Sequence, residues 1–172
     1  MDNLQFAPAA LTLSKAGTSA GTTTTFTTSA AVTYAIKGKM YSTNAATNAA
    51  SPTTDANTGA AFVQVPVGYG SVFVLCYDGS STTAATAIKV VQGGIAALNN
   101  ANDDGSSAVN QFVNAPNFPV VPDTLAPFAY FVVKVGSGGT AFTYGSSNLS
   151  GVSKVGYAWQ DIATMPARPQ VA

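Results

Sequence analysis

The sequence contains no histidine and no glutamate, and its only cysteine is Cys76. Catalysis by an imidazole is therefore excluded, and Cys76 has no imidazole base that could activate it as a nucleophile. Asp103 and Asp104 are the only adjacent acids, and they lie in a polar stretch that is typical of a solvated turn. A hydrolase built on two carboxylates needs a pair held at a defined separation. The sequence therefore predicts no catalytic residue and no enzymatic activity.

Charge is scarce as well. Charged residues make up 8% of the chain, where an ordinary globular protein has about 25%. Seven basic residues balance seven acidic ones. Because there is no basic patch, neither nucleic acid nor an anionic membrane is expected as a partner. A net charge near zero protects a protein poorly against association, which favours a protein that works inside an assembly.

Long apolar runs and an amino-terminal leader are also missing. No stretch is long enough to span a membrane. The opening Met1-Asp2-Asn3-Leu4 carries an acid in place of positive charges, so no secretory signal is expected. A lone cysteine excludes an intramolecular disulfide framework. Cys76 lies in the apolar run 71–78 and is expected to be a buried, inert thiol.

The strongest structural signal covers residues 114–135. Four prolines in residues 114–127 restrict the backbone and remove donors, which predicts an extended, non-helical segment. We expect this segment to lay Phe118, Val120 and Val121 against the fold. Residues 128–135 are then an unbroken run of apolar residues, mostly aromatic or β-branched, with Lys134 as the single exception. Such a run predicts a central strand that is covered on both faces.

Shorter strand patterns recur between turns rich in Gly, Ser and Asn. Lys37-Gly38 predicts a hairpin turn between two such patterns, and residues 44–59 predict a long polar loop. The strand patterns cover residues 31–36, 39–43, 61–65, 71–77, 87–92, 95–98, 128–135, 140–144 and 155–162. The sequence therefore predicts an all-β fold, a sandwich or barrel (jelly-roll-like) of short antiparallel strands.

Large apolar side chains on these patterns predict the core. On residues 71–77, strict alternation places Val72, Val74 and Cys76 on one face of the strand. Phe73, Leu75 and Tyr77 point to the opposite face. The candidate core residues are Phe73, Leu75, Phe128, Phe131, Val133, Phe142 and Trp159.

Residues 1–29 differ in composition from residues 30–172, which we take as the β-domain. Their apolar residues are sparse and are followed by a Thr-rich stretch, so the segment has too little apolar surface for a core of its own. We expect an extended N-terminal arm that becomes ordered on a partner, and the alternative is a first strand with a floppy end. The candidate contact residues of the arm are Leu4, Phe6, Leu11, Leu13 and Phe26.

Three weaker patterns suggest ligands. Residues 100–105 match the opening of a calcium loop, but Gln111 occupies the position of the bidentate glutamate, so no metal site is predicted. Asn148-Leu149-Ser150 matches a glycosylation acceptor, a match that is common by chance. Tyr41, Tyr69 and Tyr77 could stack on a sugar, although such tyrosines are more often core or rim residues.

Five stretches together resemble a family of virion proteins. They are Val-Thr-Tyr-Ala-Ile-Lys-Gly-Lys-Met-Tyr at 32–41, Val-Gly-Tyr-Gly-Ser-Val-Phe-Val-Leu at 67–75, Ile-Lys-Val-Val-Gln-Gly-Gly-Ile at 88–95, the proline-rich segment and strand at 114–136, and Met-Pro-Ala-Arg-Pro-Gln at 165–170. The series is similar to capsid decoration (cement) or head-fibre proteins of tailed bacteriophages. The resemblance covers roughly residues 30–170, and its motifs are glycines and prolines around strands.

The resemblance implies a structural protein that decorates a phage head. Such a protein is made in the host cytoplasm, forms a homotrimer, and binds the major capsid protein on the outer surface of the virion. No cofactor, metal ion or small-molecule substrate is expected. The rival hypothesis is a carbohydrate-binding adhesin, or a tail- or fibre-associated module, that uses the loops at residues 44–59 and 145–151.

Overall fold

The computed structural model describes residues 10–99 and 111–166. It contains eleven strands and one helical turn, α1 (Ala84–Ala87), in these residues. The strands are β1 (Ala10–Thr12), β2 (Thr18–Ala20), β3 (Thr25–Thr28), β4 (Val32–Ile36), β5 (Lys39–Thr43), β6 (Ala46–Ala50), β7 (Tyr69–Tyr77), β8 (Ile88–Asn99), β9 (Gln111–Phe112), β10 (Ala126–Val135) and β11 (Val155–Asp161). Every strand pair is antiparallel. The predicted all-β fold of short antiparallel strands is thus confirmed.

A five-stranded sheet in the order β11-β10-β7-β8-β9 organises the molecule. β10 lies between β7 and β11, and all ten of its residues are buried. Phe131 faces Phe73 across one ladder and Trp159 across the other. The prediction of a doubly covered interior strand at residues 128–135 is therefore confirmed.

The two faces of this sheet carry two separate apolar clusters. On β7, Phe73, Leu75 and Tyr77 belong to the larger cluster, and we call their side the front face. Val72, Val74 and Cys76 belong to the smaller cluster on the back face. This division arises from the period of two residues along a strand, as the sequence predicts.

Two three-stranded sheets, β1-β4-β5 and β2-β3-β6, supply the residues that pack against the front face. Tyr34 on β4 stacks against Tyr77 with ring centroids 5.5 Å apart. Lys37 and Gly38 join β4 to β5 with φ of 48° and 79°. Two positive values in succession are typical of a type I′ hairpin turn, so the predicted hairpin is confirmed.

Residues 10–29 belong to this core, which corrects the prediction of an arm over residues 1–29. β1 pairs with β4, and Phe26 and Ala16 are fully buried. The hydroxyl of Thr12 also donates a hydrogen bond of 2.7 Å to the carbonyl of Pro127 in β10. The few apolar side chains of this stretch cannot form a core alone, but they complete the core that later strands begin. The boundary between residues 29 and 30 therefore does not separate two packing units.

The proline-rich segment covers the back face and is not helical. The Phe118 ring packs edge-on against Tyr130 with a centroid separation of 5.2 Å, and Val121 packs on the same cluster. The side chain of Val120 does not pack against the fold as predicted, since 83% of the residue is exposed, although its carbonyl accepts a hydrogen bond of 2.9 Å from the Asn57 amide. In an extended segment neighbouring side chains point in different directions, so Val120 faces water while Phe118 and Val121 are directed inward.

Three details of the predicted strand pattern are wrong. Residues 44–59 contain β6. Residues 61–65 and 140–144 form only isolated bridges, Ala61 with Thr54 and Val65 with Phe142. Pro66 has no N–H group to extend the first segment, and the chain turns back after Thr143, whose carbonyl accepts from the N–H of Ser147 at 2.8 Å. Among the described residues no helix is long and apolar enough to cross a membrane.

Candidate interaction surface

Two aspartates, Asp55 and Asp161, have structural roles. Asp55 is buried, and its carboxylate accepts hydrogen bonds from the backbone N–H groups of Gln92 at 2.6 Å, Asn57 at 2.8 Å and Thr58 at 3.0 Å. The carboxylate of Asp161 accepts from the N–H groups of Gly17 and Thr18. Residues 10–99 and 111–166 contain no group of three or more acids or thiols that could hold a metal ion.

Asp78 and Lys89 form an ion pair at one end of the five-stranded sheet. The Lys89 ammonium lies 3.2 Å from the Asp78 carboxylate. Partial burial acts to raise the pKa of Asp78, but hydrogen bonds from Ser80 and the attraction of Lys89 outweigh it and hold the pKa below its usual value. The pair is partly exposed and has no neighbouring base, so it is a structural contact.

The candidate nucleophiles are buried and protonated. Cys76 is fully buried, and loss of hydration raises the pKa of its thiol far above its usual range. Burial also raises the pKa of Tyr77 to about 12, and that of Tyr144 further. A thiol or phenol that keeps its proton is a poor nucleophile.

The three tyrosines considered for sugar stacking do not form a platform. Tyr77 is fully buried, and Tyr41 stacks on Tyr34 with ring centroids 5.7 Å apart. Only Tyr69 presents much of its ring to solvent. Tyr77 faces the core because it has the same parity as Phe73 on β7.

The candidate core residues lie together on the front face of the five-stranded sheet. Trp159 is only partly buried and packs on Phe131 with a centroid distance of 4.4 Å. The remaining members, Phe73, Leu75, Phe128, Phe131, Val133 and Phe142, are at most 2% exposed.

The candidate arm residues are not brought together. Phe26 is in the core, Leu11 is partly buried on β1, and Leu13 is exposed. Leu4 and Phe6 lie outside the described residues, as do Asp103, Asp104 and residues 100–105 of the calcium-like loop. In the glycosylation pattern, Asn148 and Ser150 are exposed and Leu149 is buried.

An exposed apolar surface continues the front face beyond the area that the small sheets cover. Tyr69 on β7 lies opposite Ala97 on β8, and Ile95 precedes Ala97 by two residues on the same strand. The N–H of Val113 donates to the carbonyl of Ala97 at 3.0 Å. Val63 lines a groove together with Ile95. We call Val63, Tyr69, Ile95, Ala97 and Val113 the apolar strip. All five are exposed, Val63 and Val113 by more than 60%.

A β-bulge gives the strip its orientation. Ile95 faces Ser71 and Gln92 faces Phe73, so Gly93 and Gly94 together oppose the single residue Val72. Because the bulge absorbs one residue, Ile95 and Ala97 point to the same side as Gln92. A Cβ on Gly93 would lie 2.6 Å from the carbonyl oxygen of Asn117, so this position requires glycine.

The side chain of Gln92 holds Val63 at the edge of the strip. Its amide oxygen accepts from the N–H of Val63 at 2.8 Å, and its amide nitrogen donates to the carbonyl of Val63 at 2.9 Å. These two hydrogen bonds hold the backbone of Val63 to β8 in place of a regular strand pairing. Asp55 in turn fixes the backbone of Gln92, so the strip rests on a rigid support.

The strip carries no charge. Residues 56–77, 90–99 and 111–122, which contain all of its members, include no Asp, Glu, Lys or Arg. A groove of about 340 Å³ lies between Val63 and Ile95, with the buried Asp55 as its only acid. Depletion of charge in an exposed apolar patch is typical of the centre of a protein–protein interface.

Sequence reasoning missed the strip because exposure depends on the area that the small sheets leave uncovered. One signal was present: β8 has the apolar composition of a doubly buried strand, yet Gly93-Gly94 marks a point where its environment changes. We found no protein-family model, no curated protein and no solved structure that matches this chain.

Proposed function

We propose that the protein is a structural component of a virion, a capsid decoration (cement) protein that binds the outer surface of a tailed-phage head as a homotrimer. Its partners are further copies of itself and the major capsid protein. The proposal starts from the resemblance of five stretches to such proteins, and the structural observation that carries it is the apolar strip.

The strip supports this role because a free monomer would leave it in water. Exposed apolar patches on a soluble protein mark surfaces that a partner covers. We assign the strip to contacts between copies, since a three-fold arrangement brings each strip against its neighbours and closes the assembly. Gln92 and Asp55 hold the strip in a fixed position, so association costs little additional conformational entropy.

The first test measures the oligomeric state by sedimentation at micromolar concentration. The wild-type chain is expected as a trimer, and Val63→Lys is expected as a monomer because it places a charge in the contact. Met40→Lys is the matched control, since Met40 is similarly exposed (56%). Met40 lies in the sheet that packs at the Tyr77 end of β7. The length of β7 separates that end from the Tyr69 end, where the strip lies, by roughly 27 Å. A monomeric wild-type chain, or a trimer that survives Val63→Lys and Ile95→Lys together, contradicts the assignment.

The second test concerns the capsid. Purified trimer is added to undecorated heads of the virus that encodes it, and bound copies are located by cryo-electron microscopy. We expect density on the outer surface at three-fold positions and greater resistance of the heads to heat. Heads that bind no copies while the trimer persists would refute the decoration role and leave the trimer contact intact.

The alternative function, a carbohydrate-binding adhesin or a tail- or fibre-associated module, would use a different surface. One observation favours it, a neutral groove beside residues 145–151.

A further inference from the structure

A groove of about 240 Å³ lies between the turn at residues 140–152 and β11. Its polar lining consists of three hydroxyl side chains and one amide, and its apolar lining of two aromatic rings and three aliphatic side chains: Thr140, Ser146, Ser147, Asn148, Phe142, Tyr157, Ala141, Val152 and Val155. The groove lies outside the apolar strip, and the two surfaces share no residue. Any ligand held here would therefore leave the contacts between copies unaffected.

The turn that forms one wall of the groove is fixed in place by the fold. Leu149 is fully buried, and its N–H donates to the carbonyl of Thr23 at 2.8 Å. The Ser147 hydroxyl accepts from the N–H of Thr143 at 2.9 Å. Gly145 has φ of 78°, and a Cβ there would collide with the carbonyl of Pro52. The wall is thus preorganised, which lowers the entropy that a ligand must overcome.

Polar groups in the groove remain available to a ligand. In the described chain the side chains of Thr140, Ser146 and Asn148 make no internal hydrogen bond. The Tyr157 hydroxyl donates to the backbone carbonyl of Asn148 at 3.1 Å, which fixes the ring beside the free amide. Burial raises the pKa of Tyr157, so the phenol stays neutral at physiological pH.

No lining residue is charged, so the groove offers nothing to pair with a phosphate, a carboxylate or an ammonium group. Neutral donors and acceptors beside an aromatic ring match a ligand that has hydroxyl groups on its edges and C–H bonds on its faces. The volume is below the roughly 300 Å³ at which drug-sized pockets begin. One or two sugar rings, the remainder extending into solvent, would fit this space.

We propose that this groove binds a neutral saccharide, with Asn148 and Ser146 as hydrogen-bonding residues and Tyr157 as the stacking residue. Sugar binding at the groove does not require the decoration role, and on a decorated particle it would add a second contact, to a sugar-coated surface. Binding at a single shallow groove is weak, and the several copies on one particle would raise the avidity.

The test is a titration of the isotope-labelled full-length protein, followed by NMR amide shifts. The probes are glucose, galactose, mannose and N-acetylglucosamine, with sialic acid as the charged comparison. At least one neutral sugar is expected to shift the amides of residues 140–157 with millimolar affinity, and sialic acid is expected to bind more weakly. Asn148→Ala should weaken that binding by about tenfold, the effect of one hydrogen bond.

The matched control is Asn44→Ala, an exposed asparagine that does not line the groove and that should leave the affinity unchanged. The amide spectrum of each variant reports its folding in the same experiment, and Ser146→Ala provides a second variant. The proposal is overturned if no neutral sugar shifts these amides, or if the shifts persist equally in Asn148→Ala and Ser146→Ala.

Discussion

The front core contains a cluster of aromatic rings around Phe131. Its ring centroid lies 4.4 Å from that of Trp159, 5.8 Å from that of Phe142 and 6.1 Å from that of Phe73. Phe131→Ala would leave a cavity among rings that belong to three different parts of the chain. We expect a loss of about 3–5 kcal/mol in the free energy of unfolding, measured by urea denaturation.

Val120→Ala is the comparison for this change, because Val120 is 83% exposed and should alter stability by less than about 0.5 kcal/mol. Equal denaturation midpoints for Phe131→Ala and wild type would show that the cluster does not carry the core.

The buried tyrosines make stability depend on alkaline pH. The pKa of Tyr77 rises from its ordinary 10.0 to about 12 in the fold, and those of Tyr34, Tyr144 and Tyr157 also rise, because burial disfavours the phenolate. The unfolded chain loses these protons first, so this contribution is complete below pH 10 and is lost as the pH rises toward 12. Burial lowers the pKa of Lys134, so this one group changes the pH dependence of stability in the opposite direction.

We therefore expect the urea midpoint to fall between about pH 10 and about pH 12. Tyr77→Phe should reduce that fall, and Tyr69→Phe is the control because it changes an exposed side chain outside the front core. A midpoint that stays constant across this range would contradict the burial of ionisable hydroxyls in the front core.

Among the elements, β1, β2 and β3 make the amino-terminal stretch part of the core, and a truncation tests this. Deletion of residues 1–29 removes Phe26 and Ala16 from the front core together with the β1–β4 ladder. Loss of one buried phenylalanine alone costs about 3–5 kcal/mol, against a total stability of about 5–15 kcal/mol. We expect the shortened chain to be unfolded, as judged by amide dispersion in NMR spectra.

Deletion of residues 1–9 is the matched truncation, since it removes none of the described contacts, and it should leave the fold unchanged. If the chain without residues 1–29 folds and is as stable as the wild type, the stretch is an arm after all.

Local patterns in the sequence were sufficient for some elements and not for others. The β4–β5 hairpin was predictable because its turn and its alternation lie within a few residues. The pairing of β10 with β11 was not, because residues 140–144 are closer in sequence and equally apolar. Phe26 shows the same limit. It lies in a stretch with few apolar residues, and it is a core residue only because strands distant in sequence leave a space for its side chain.

For the whole molecule, the fold class was predictable from composition, but the apolar strip was not. Its exposure results from two small sheets that cover one end of the front face and leave the other end open. Val63 and Val113, its most exposed members, do not differ in type from buried valines, so only the three-dimensional arrangement distinguishes them. The neutral groove beside Tyr157 was equally hidden: all of its lining lies within residues 140–157, but its shape depends on how the turn at residues 140–152 folds back against β11.

Association through the strip should be nearly independent of sodium chloride, because its residues carry no charge that salt could screen. Sulfate salts should strengthen it, since they favour burial of apolar surface. Sedimentation of the wild-type chain at low and high sodium chloride, and in ammonium sulfate, checks both expectations. Dissociation of the proposed trimer by moderate sodium chloride would mean that ion pairs hold the copies together elsewhere.

The bulge at Gly93-Gly94 also constrains how the length of this chain can vary. Since two residues there occupy the space of one, loss of Gly94 would restore a regular strand and keep Ile95 and Ala97 on the front face. Gain or loss of one residue between Ile88 and Gln92 would instead reverse the parity of the later residues of β8, turning Leu98 to the front face and Ile95 to the back face. Natural variants that differ in length within this strand should therefore differ at the glycine pair.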